Sequence, residues 1–537
     1  MKKVVEHMVA VQDTDGYIGI YAADSRFSNE EGNGELWTQS RGTWVMLTWY
    51  EITEDAKVLD AVKRSVQRTM KAFGSEKGNP FDSKIYGGVS HGLMYAENVA
   101  WLYDITKDTV YRDWSIWLYQ AYCERNRFDN DIHYSFLKDP NQNFIGHSAH
   151  SFEHLRVLLN SWYMSGAPVF DTLYKNYRTK LEKVLLPSGA GFGYENMWAQ
   201  VSHPDSTPVE YCAITELELS SLAAVRLTGD PSWGDLAEKI FFNAAQGARL
   251  PDDKAVTYCK SDNCYHLHGI NPGFKNKEKG IAYGDSDVRY KYSPTHVDCA
   301  ECCSPQSTRC YPAYVASMWM RSDSGLAAMF FGPCKVNTTV GGVKVEIEET
   351  TGFPFDDKVT IIINPEKEVN FKLTIRIPEW GTDNTVEAGN AVVQKRSGYC
   401  DLSKSWKKGD KVTITFKPAI VAKKSNNGET YLQRGAIVYA LNVPSIDSIV
   451  RTYPVKGFAD QYFFAKDNFN YKKGLDASAG QTFGFSLVSG KAGANIWVNS
   501  PLKLKGELVD LATGKKETAE LVPMGSTILR RVTFPTK

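Results

Sequence analysis

The feature that most constrains this chain is a change of hydrophobic period near residue 325. From about residue 34 to 320, apolar residues recur at helical spacing, in paired segments joined by short turns. Beyond that point they alternate with polar residues, the period of strands with one buried face. The spacing predicts helical hairpins at 35–52 with 55–73, 92–106 with 109–125, 148–164 with 168–184 and 211–227 with 231–247, then a last helix near 304–320. The turns share a theme: "YEITED", "YDITKD" and "RLTGD" each end one helix with a Thr and an acidic residue able to cap the next. Loops at 74–91, 126–147, 185–209 and 248–302 carry Gly, His, Asn and aromatic residues in place of periodic apolar ones. Stacked hairpins closing into a toroid would gather such loops around a shared pocket.

The second part supplies strands in "GGVKVEIEETT", "DKVTIIINPE", "FKLTIRIPEW", "DKVTITFKP", "AIVYALNV" and "ANIWVNSPL", with turns such as "NNGE" and "KKGD". A chain of 537 residues is also too long for one core. The expected fold is multidomain α plus β: a helical domain over 1–325, an antiparallel β-sandwich over 326–425, and over 426–537 a second sandwich or a continuation of the first. The β part shows no catalytic cluster and reads as support that shapes one wall of the pocket.

Composition narrows the partners. The 62 basic and 62 acidic residues, with no block of either sign, provide no field that would steer the chain to nucleic acid or to an anionic membrane. Aromatic residues at 12%, including 13 Trp and 28 Tyr, suit large cores and also stacking on sugars. The start "MKKVVEHMVAVQDTDGYIG" is basic, but polar residues interrupt its apolar run, so it reads as neither a signal peptide nor a membrane span. The chain as written is therefore expected in the cytoplasm, where ten cysteines point to thiols and metal ligands ahead of a disulfide framework.

Four of those cysteines, Cys299, Cys302, Cys303 and Cys310, crowd into "VDCAECCSPQSTRC". Glu210 and Cys212, in "VEYC" at the start of a predicted helix, add two donors on a rigid base. With Cys302 and Cys303 they make one carboxylate and three thiolates, a set that suits tetrahedral zinc although the spacing matches no zinc ribbon. Buried thiols acting as small apolar residues, or a disulfide between Cys259 and Cys264 or within 299–310, are the structural alternatives. The stretch "CKSDNCYHLH", 259–268, reads as a loop lining the active site, with a second metal as the alternative.

These residues carry a resemblance. "ECCSPQSTR" resembles the Cys-Cys-Pro-Pro-Asn-x-x-Arg segment, and "VEYC" the Glu-Thr-Cys segment, of the β-L-arabinofuranosidase family of zinc-dependent cysteine glycoside hydrolases, the 127/146-like group. "QDTDGYIGIY", "ELWTQSRGTWVMLTWYEIT", "YGGVSHGLMYAENVAWLYDITKD", "GHSAHSFEHLRVLL", "IPEWG" and "YLQRGAIVYAL" are similar to family segments and occur in family order, over nearly the whole chain. The resemblance implies an (α/α)6 barrel followed by β-sandwich domains, retaining hydrolysis of terminal furanosides on plant oligo- or polysaccharides, and Zn2+ held by one Glu and three Cys. Carried over by residue, it implies that Cys302 is the nucleophile, that Glu210, Cys212, Cys302 and Cys303 hold zinc, and that Glu195, after "GAGFGY", is the acid/base. His91, His147 and His150 fall where the family places sugar-binding histidines, with Trp37 and Gln39 as further pocket candidates and Trp198 as a stacking platform. Family β domains also allow for a homo-oligomer.

Two departures from the family pattern bear on these expectations. The chain begins closer to its "DGY" motif than the family does, as a short variant or a truncated one would, and a longer start could carry an export signal. Next to the reacting atoms, Ser304-Pro305-Gln306 replaces Pro-Pro-Asn and Tyr211 replaces Thr, changes that reshape the sugar pocket. The rival expectations are a non-catalytic carbohydrate-binding or scaffold protein of the same build, and a helical-toroid enzyme using paired acids or histidines without zinc.

Overall fold

The computed structural model describes residues 1–28, 34–83, 86–125, 129–191, 203–205, 207–268, 290–295, 302–381, 383–466 and 472–537. They fall into two compact units, the first formed by Met1–Glu182 and the second by the described residues from Lys183 onward.

The first unit is helical. After α1 (Lys2–Ala10) come the hairpins α2 (Glu35–Thr53) with α3 (Ala56–Ala72), and α4 (Tyr95–Thr106) with α5 (Thr109–Cys123). A short α6 (Ser148–Glu153) then leads into the pair α7 (Leu155–Ser165) and α8 (Pro168–Glu182). The second unit opens with the same device, α9 (Tyr211–Thr228) and α10 (Pro231–Lys239), followed after a long connection by α11 (Cys303–Ser317). Each predicted hairpin is present; α1 was not anticipated.

One local chemistry makes all four turns. A residue in the left-handed region ends the first helix: Glu54 at φ 54°, Lys107 at 56°, Gly166 at 62°, Gly229 at 68°. The hydroxyl before it accepts from the backbone N–H after it, Thr53 from Asp55 at 3.4 Å, Thr106 from Asp108 at 3.3 Å, Ser165 from Ala167 at 3.1 Å and Thr228 from Asp230 at 3.1 Å. Where that third residue is Asp, its carboxylate accepts from the next helix's Lys57, Val110 or Ser232 N–H. In the Ser165 turn, Pro168 opens the next helix instead.

After α11 the strands of the second unit pair mostly antiparallel; Gly325–Ala328 runs parallel to Val369–Arg376. Two five-stranded sheets come first. One orders Asn384–Glu387, Asp410–Phe416, Lys358–Pro365, Val343–Thr351 and Cys334–Val340; the other orders Val392–Arg396, Tyr399–Trp406, Val369–Arg376, Gly325–Ala328 and Trp319–Ser322. Alternate residues such as Val345 and Ile347, or Val359, Ile361 and Ile363, are buried, as the period-two pattern requires. An eight-stranded sheet follows, built on Ile437–Val443 and Leu502–Asp510. "ANIWVNSPL" is not a strand over most of its length, contrary to expectation: the Asn495 carboxamide accepts from the Trp497 and Val498 N–H groups and folds the chain into a turn, and the strand begins only at Leu502.

The β domains do more than support. Strand Ala459–Ala465 pairs with Ser445–Thr452 and also with Tyr292–Ser293 and His266–Leu267, two short strands in the long connection between α10 and α11. Arg530 bonds through its guanidinium to the Asp262, Gly247 and Ser261 carbonyls. The Asn263 carboxamide donates to Thr533 Oγ1 at 2.8 Å and accepts from the Val532 N–H at 2.7 Å. The C-terminal strands thus hold the connection that carries Tyr258 to Cys264. α10 is fastened to the β part by Arg376, fully buried, which pairs with Glu238, with Asp235 Oδ1 at 2.6 Å and with the Met329 carbonyl at 2.6 Å. Only glycine fits at position 234, where a Cβ would lie 2.7 Å from Arg376 Cδ.

Candidate active site

Two helix N-termini carry the donors. Glu210 ends the two-residue strand Val209–Glu210, which pairs antiparallel with Cys259–Lys260, and it stands at the N-cap of α9, with Cys212 in that helix's first turn. Cys302 is the N-cap of α11 and Cys303 its first residue. The N-terminal end of a helix favours anionic sulfur, so both pairs sit where thiolates are stabilised. Ligand atoms of Glu210, Cys212, Cys302 and Cys303 all lie within 4.8 Å of one another. Cys302 Sγ is 3.5 Å from Glu210 Oε1 and 3.9 Å from Cys303 Sγ, and Cys303 Sγ is 3.5 Å from Cys212 Sγ. Three of the four residues are buried; Cys302 is the exposed one.

The charges sort accordingly. Hydrogen bonds from Cys212 and Cys303, with a further one from Tyr258, hold the Cys302 thiol far below its ordinary range. Burial pushes the Cys212 and Cys303 thiols well up. Tyr258, raised by burial and by the Glu210 charge, stays protonated and serves as a donor. Three sulfurs packed beside the Glu210 carboxylate form a set whose full ionisation would need a divalent cation among them. That donor set, its spacing and its burial fit a thiophilic metal such as zinc.

The layers behind the cluster tie α9 to α11. The Glu216 carboxylate, one turn after Cys212, accepts from Gln306 Nε2 at 3.0 Å and from Arg309 at 2.6 Å. Thr215 Oγ1 meets Cys310 Sγ at 3.2 Å, and Arg249 donates to Tyr211 Oη and to the Ser307 carbonyl. Tyr258 is the residue sequence reasoning missed. Its one signal is its place before Cys259, whose strand pairs with Glu210, and its own carbonyl accepts from the Tyr211 N–H at 2.9 Å.

In the first unit, His91, His147 and His150 do come together. The His91 ring lies 4.2 Å from that of His150 and stacks on Trp37 at 4.3 Å, while His147 stacks on His150 at 4.6 Å. Gln39 is buried, donating to Glu35 Oε1 at 2.9 Å and accepting from Thr69 Oγ1 at 2.5 Å. Glu195, Trp198 and Cys299 lie outside the described residues. Cys259, Cys264, Cys302, Cys303 and Cys310 are free thiols, so the disulfide alternatives among them do not hold. Among the described residues, the 259–268 stretch contributes to no metal-capable group; His268 stacks instead on Phe464 at 4.4 Å.

Comparison with known proteins agrees with this architecture. The family model for the β-L-arabinofuranosidase GH127 catalytic domain matches residues 1–315, and that for the GH127 middle domain matches 325–417. No curated protein matches the chain. Among solved structures, a GH127 β-L-arabinofuranosidase from Geobacillus stearothermophilus T6 is similar at 17% identity and a TM-score of 0.72, covering 100% of this chain and 86% of that one. A protein described as a glycoside hydrolase matches at 14% identity and 0.72, over 100% and 88% of the two chains. A further GH127 β-arabinofuranosidase matches at 15% and 0.68, over 100% and 84%. A helical N-terminal domain continued by antiparallel β domains is the build shared with these GH127 structures. The chain belongs to the GH127 β-L-arabinofuranosidase family.

Proposed function

We propose that the chain is a retaining exo-glycosidase that releases terminal β-L-arabinofuranoside, or a related pentose-type sugar, from plant glycans, with the Cys302 thiolate as nucleophile. The observation that carries this reading is the Glu210/Cys212/Cys302/Cys303 group inside a GH127 catalytic domain, with Cys302 its exposed sulfur. Those four residues would hold Zn2+, which when bound compensates the negative charge of the sulfurs so that all of them stay deprotonated at neutral pH.

Cys302 Sγ attacks the anomeric carbon, the C–S bond forming as the glycosidic C–O bond breaks. Glu195 gives its proton to the departing oxygen. It then takes a proton from the water that displaces sulfur, which returns the thiolate and releases the sugar with its anomeric configuration retained. Tyr258 donates a hydrogen bond to Cys302 and steadies the anionic sulfur between turnovers. His91, His147 and His150, with Trp37 beside them, present ring nitrogens and a flat face suited to furanose hydroxyls.

The test is product analysis on a panel of aryl furanosides and pyranosides, with proton NMR of the first-formed anomer. Turnover of a furanoside with retention, lost by about four orders of magnitude in Cys302→Ala, is expected. Inversion, or activity untouched in Cys302→Ala, overturns the nucleophile. Tight sugar binding without turnover of any substrate favours the binding-protein reading.

A further inference from the structure

The β part reaches the sulfur cluster through one short strand. Tyr292–Ser293 lies between two partners in a single sheet: Tyr292 pairs with Thr257 on one side and, on the other, with Gln461 of the C-terminal strand Ala459–Ala465. Thr257 precedes Tyr258, the donor to the Cys302 sulfur. Two residues beyond Ser293, the Thr295 carbonyl accepts from Ser304 Oγ at 2.6 Å, and Ser304 follows Cys302 and Cys303 in the first turn of α11. The same strand therefore supports the donor to the sulfur and the helix that carries the sulfur.

The start of α11 needs such a hold. Cys302 stands at its N-cap and makes no side-chain bond to the backbone N–H groups that open the helix. A serine in a first turn commonly bonds to backbone close by in sequence. Here the Ser304 hydroxyl crosses instead to a carbonyl nine residues earlier, while the Ser304 carbonyl accepts from Ser307 Oγ at 2.8 Å. The helix start is thus fixed from outside, by whatever fixes Thr295.

Thr295 is tied in turn to the C-terminal strands. Its Oγ1 lies 3.4 Å from Tyr453 Oη, which donates to Asp460 Oδ1 at 2.9 Å. The other carboxylate oxygen, Oδ2, accepts at 2.9 Å from Nζ of Lys291, the residue before Tyr292. The Lys291 and Asp460 side chains are 4% and 0% exposed, so each desolvated charge depends on the other and neither strand can shift alone. Asp460 lies in Ala459–Ala465 and Tyr453 directly follows its partner strand Ser445–Thr452, so one β hairpin carries both.

We propose that Ser304 is a positioning residue for the Cys302 thiolate, and that the hairpin 445–465 acts on the reaction through it, by way of Asp460, Tyr453 and Thr295. The proposal rests on the reading of Cys302 as nucleophile. Ser304 acts through the backbone: its hydroxyl holds the chain two residues from the attacking sulfur, where a shift of a fraction of an ångström takes Sγ off its line to the anomeric carbon. The C-terminal β part is then a working part of the active site as well as its support.

The test combines steady-state kinetics on a furanoside that the wild type turns over with hydrogen–deuterium exchange of segment 302–310, both in zinc-loaded full-length protein. Ser304→Ala should lower kcat about tenfold, and Tyr453→Phe, which keeps the ring and removes the hydroxyl, about threefold, each with KM within about twofold of the wild type. Because the two residues act in one series, the double variant should be no slower than Ser304→Ala alone, and Ser304→Thr, which keeps a hydroxyl, should recover most of the loss. Exchange in 302–310 should quicken in Ser304→Ala and in Tyr453→Phe. Unchanged kcat in Ser304→Ala, losses that multiply in the double variant, or unchanged exchange in 302–310 overturns the proposal. A wild type that turns over no substrate defeats the glycosidase reading instead, and quickened exchange in Tyr453→Phe then still supports the hold of the hairpin on the helix start.

Discussion

Two buried polar clusters of the second unit invite comparison. At Arg376 two acids, Asp235 and Glu238, meet a guanidinium that the chain itself provides. Around Cys302 a carboxylate meets three sulfurs, and the groups acting most strongly on them are each other and Tyr258, none of them cationic. The first cluster is closed, and it fastens α10 to a β-sheet. The second keeps negative charge in excess at two helix N-termini, an arrangement stable only with a proton or a metal on the sulfurs. The difference is that between a joint and a receptor site: the chain spends its own cation where the task is to hold elements together.

On that distinction, the largest effect on folding comes from Arg376. Arg376→Met strands two buried carboxylates and should cost about 3–5 kcal/mol by urea titration, whereas Cys303→Ser in metal-free protein should fall within about 1 kcal/mol of the wild type. Equal losses would erase the contrast. Next comes metal removal: chelation should lower stability by about 3 kcal/mol if free zinc had stood about a hundredfold above its Kd, and by the same amount in an Arg376 variant that still folds. A chelator effect confined to one of the two proteins would show the clusters to be coupled.

A smaller effect sharpens the picture of the receptor site. Tyr258→Phe removes a donor to the Cys302 thiolate, so kcat should fall about tenfold to a hundredfold, and the pH profile of Cys302 alkylation in stripped protein should move upward. An unmoved profile would remove Tyr258 from the site. A pH-dependent effect concerns Glu218, buried on α9 behind the cluster. Unfolded, it loses its proton near 4.5; folded, burial pushes that up to about 8. The folded state binds the extra proton across this window, so stability falls as pH rises from about 4.5 to about 8. Glu218→Gln should flatten the slope, measured as urea midpoints at acid and alkaline ends, and a slope unchanged in the variant would assign it to other acids such as Glu349, raised to about 7.

Much of the helical part is readable from the chain because its information is local. The Thr-x-Asp turns carry their own caps, and the apolar spacing that precedes them needs no distant partner to be recognised. The residues of the candidate metal group were legible for a different reason, a rare Cys-Cys pair and a Glu-x-Cys that resemble family segments. Tyr258 was not: it sits in a connection without periodicity, and its approach to Cys302 exists only because a two-residue strand pairs across to Glu210. Arg376 read as one more polar residue of a strand, since Glu238 and Asp235 lie far away in sequence. The Asn495 turn was hidden by apolar neighbours, Ile496, Trp497 and Val498, that mimic a strand.

The sequence by itself determined the elements, their order and the chemical kinds of donor available, because hydrophobic period, caps and side-chain chemistry act over a few residues. Only the tertiary structure decided which donors meet. It brought Glu210 and Cys212 on one helix start against Cys302 and Cys303 on another, laid the Tyr258 connection under C-terminal strands, and turned His91 towards Glu153. Those juxtapositions depend on long-range burial and on where charge is left unbalanced, quantities that no local stretch of the chain contains.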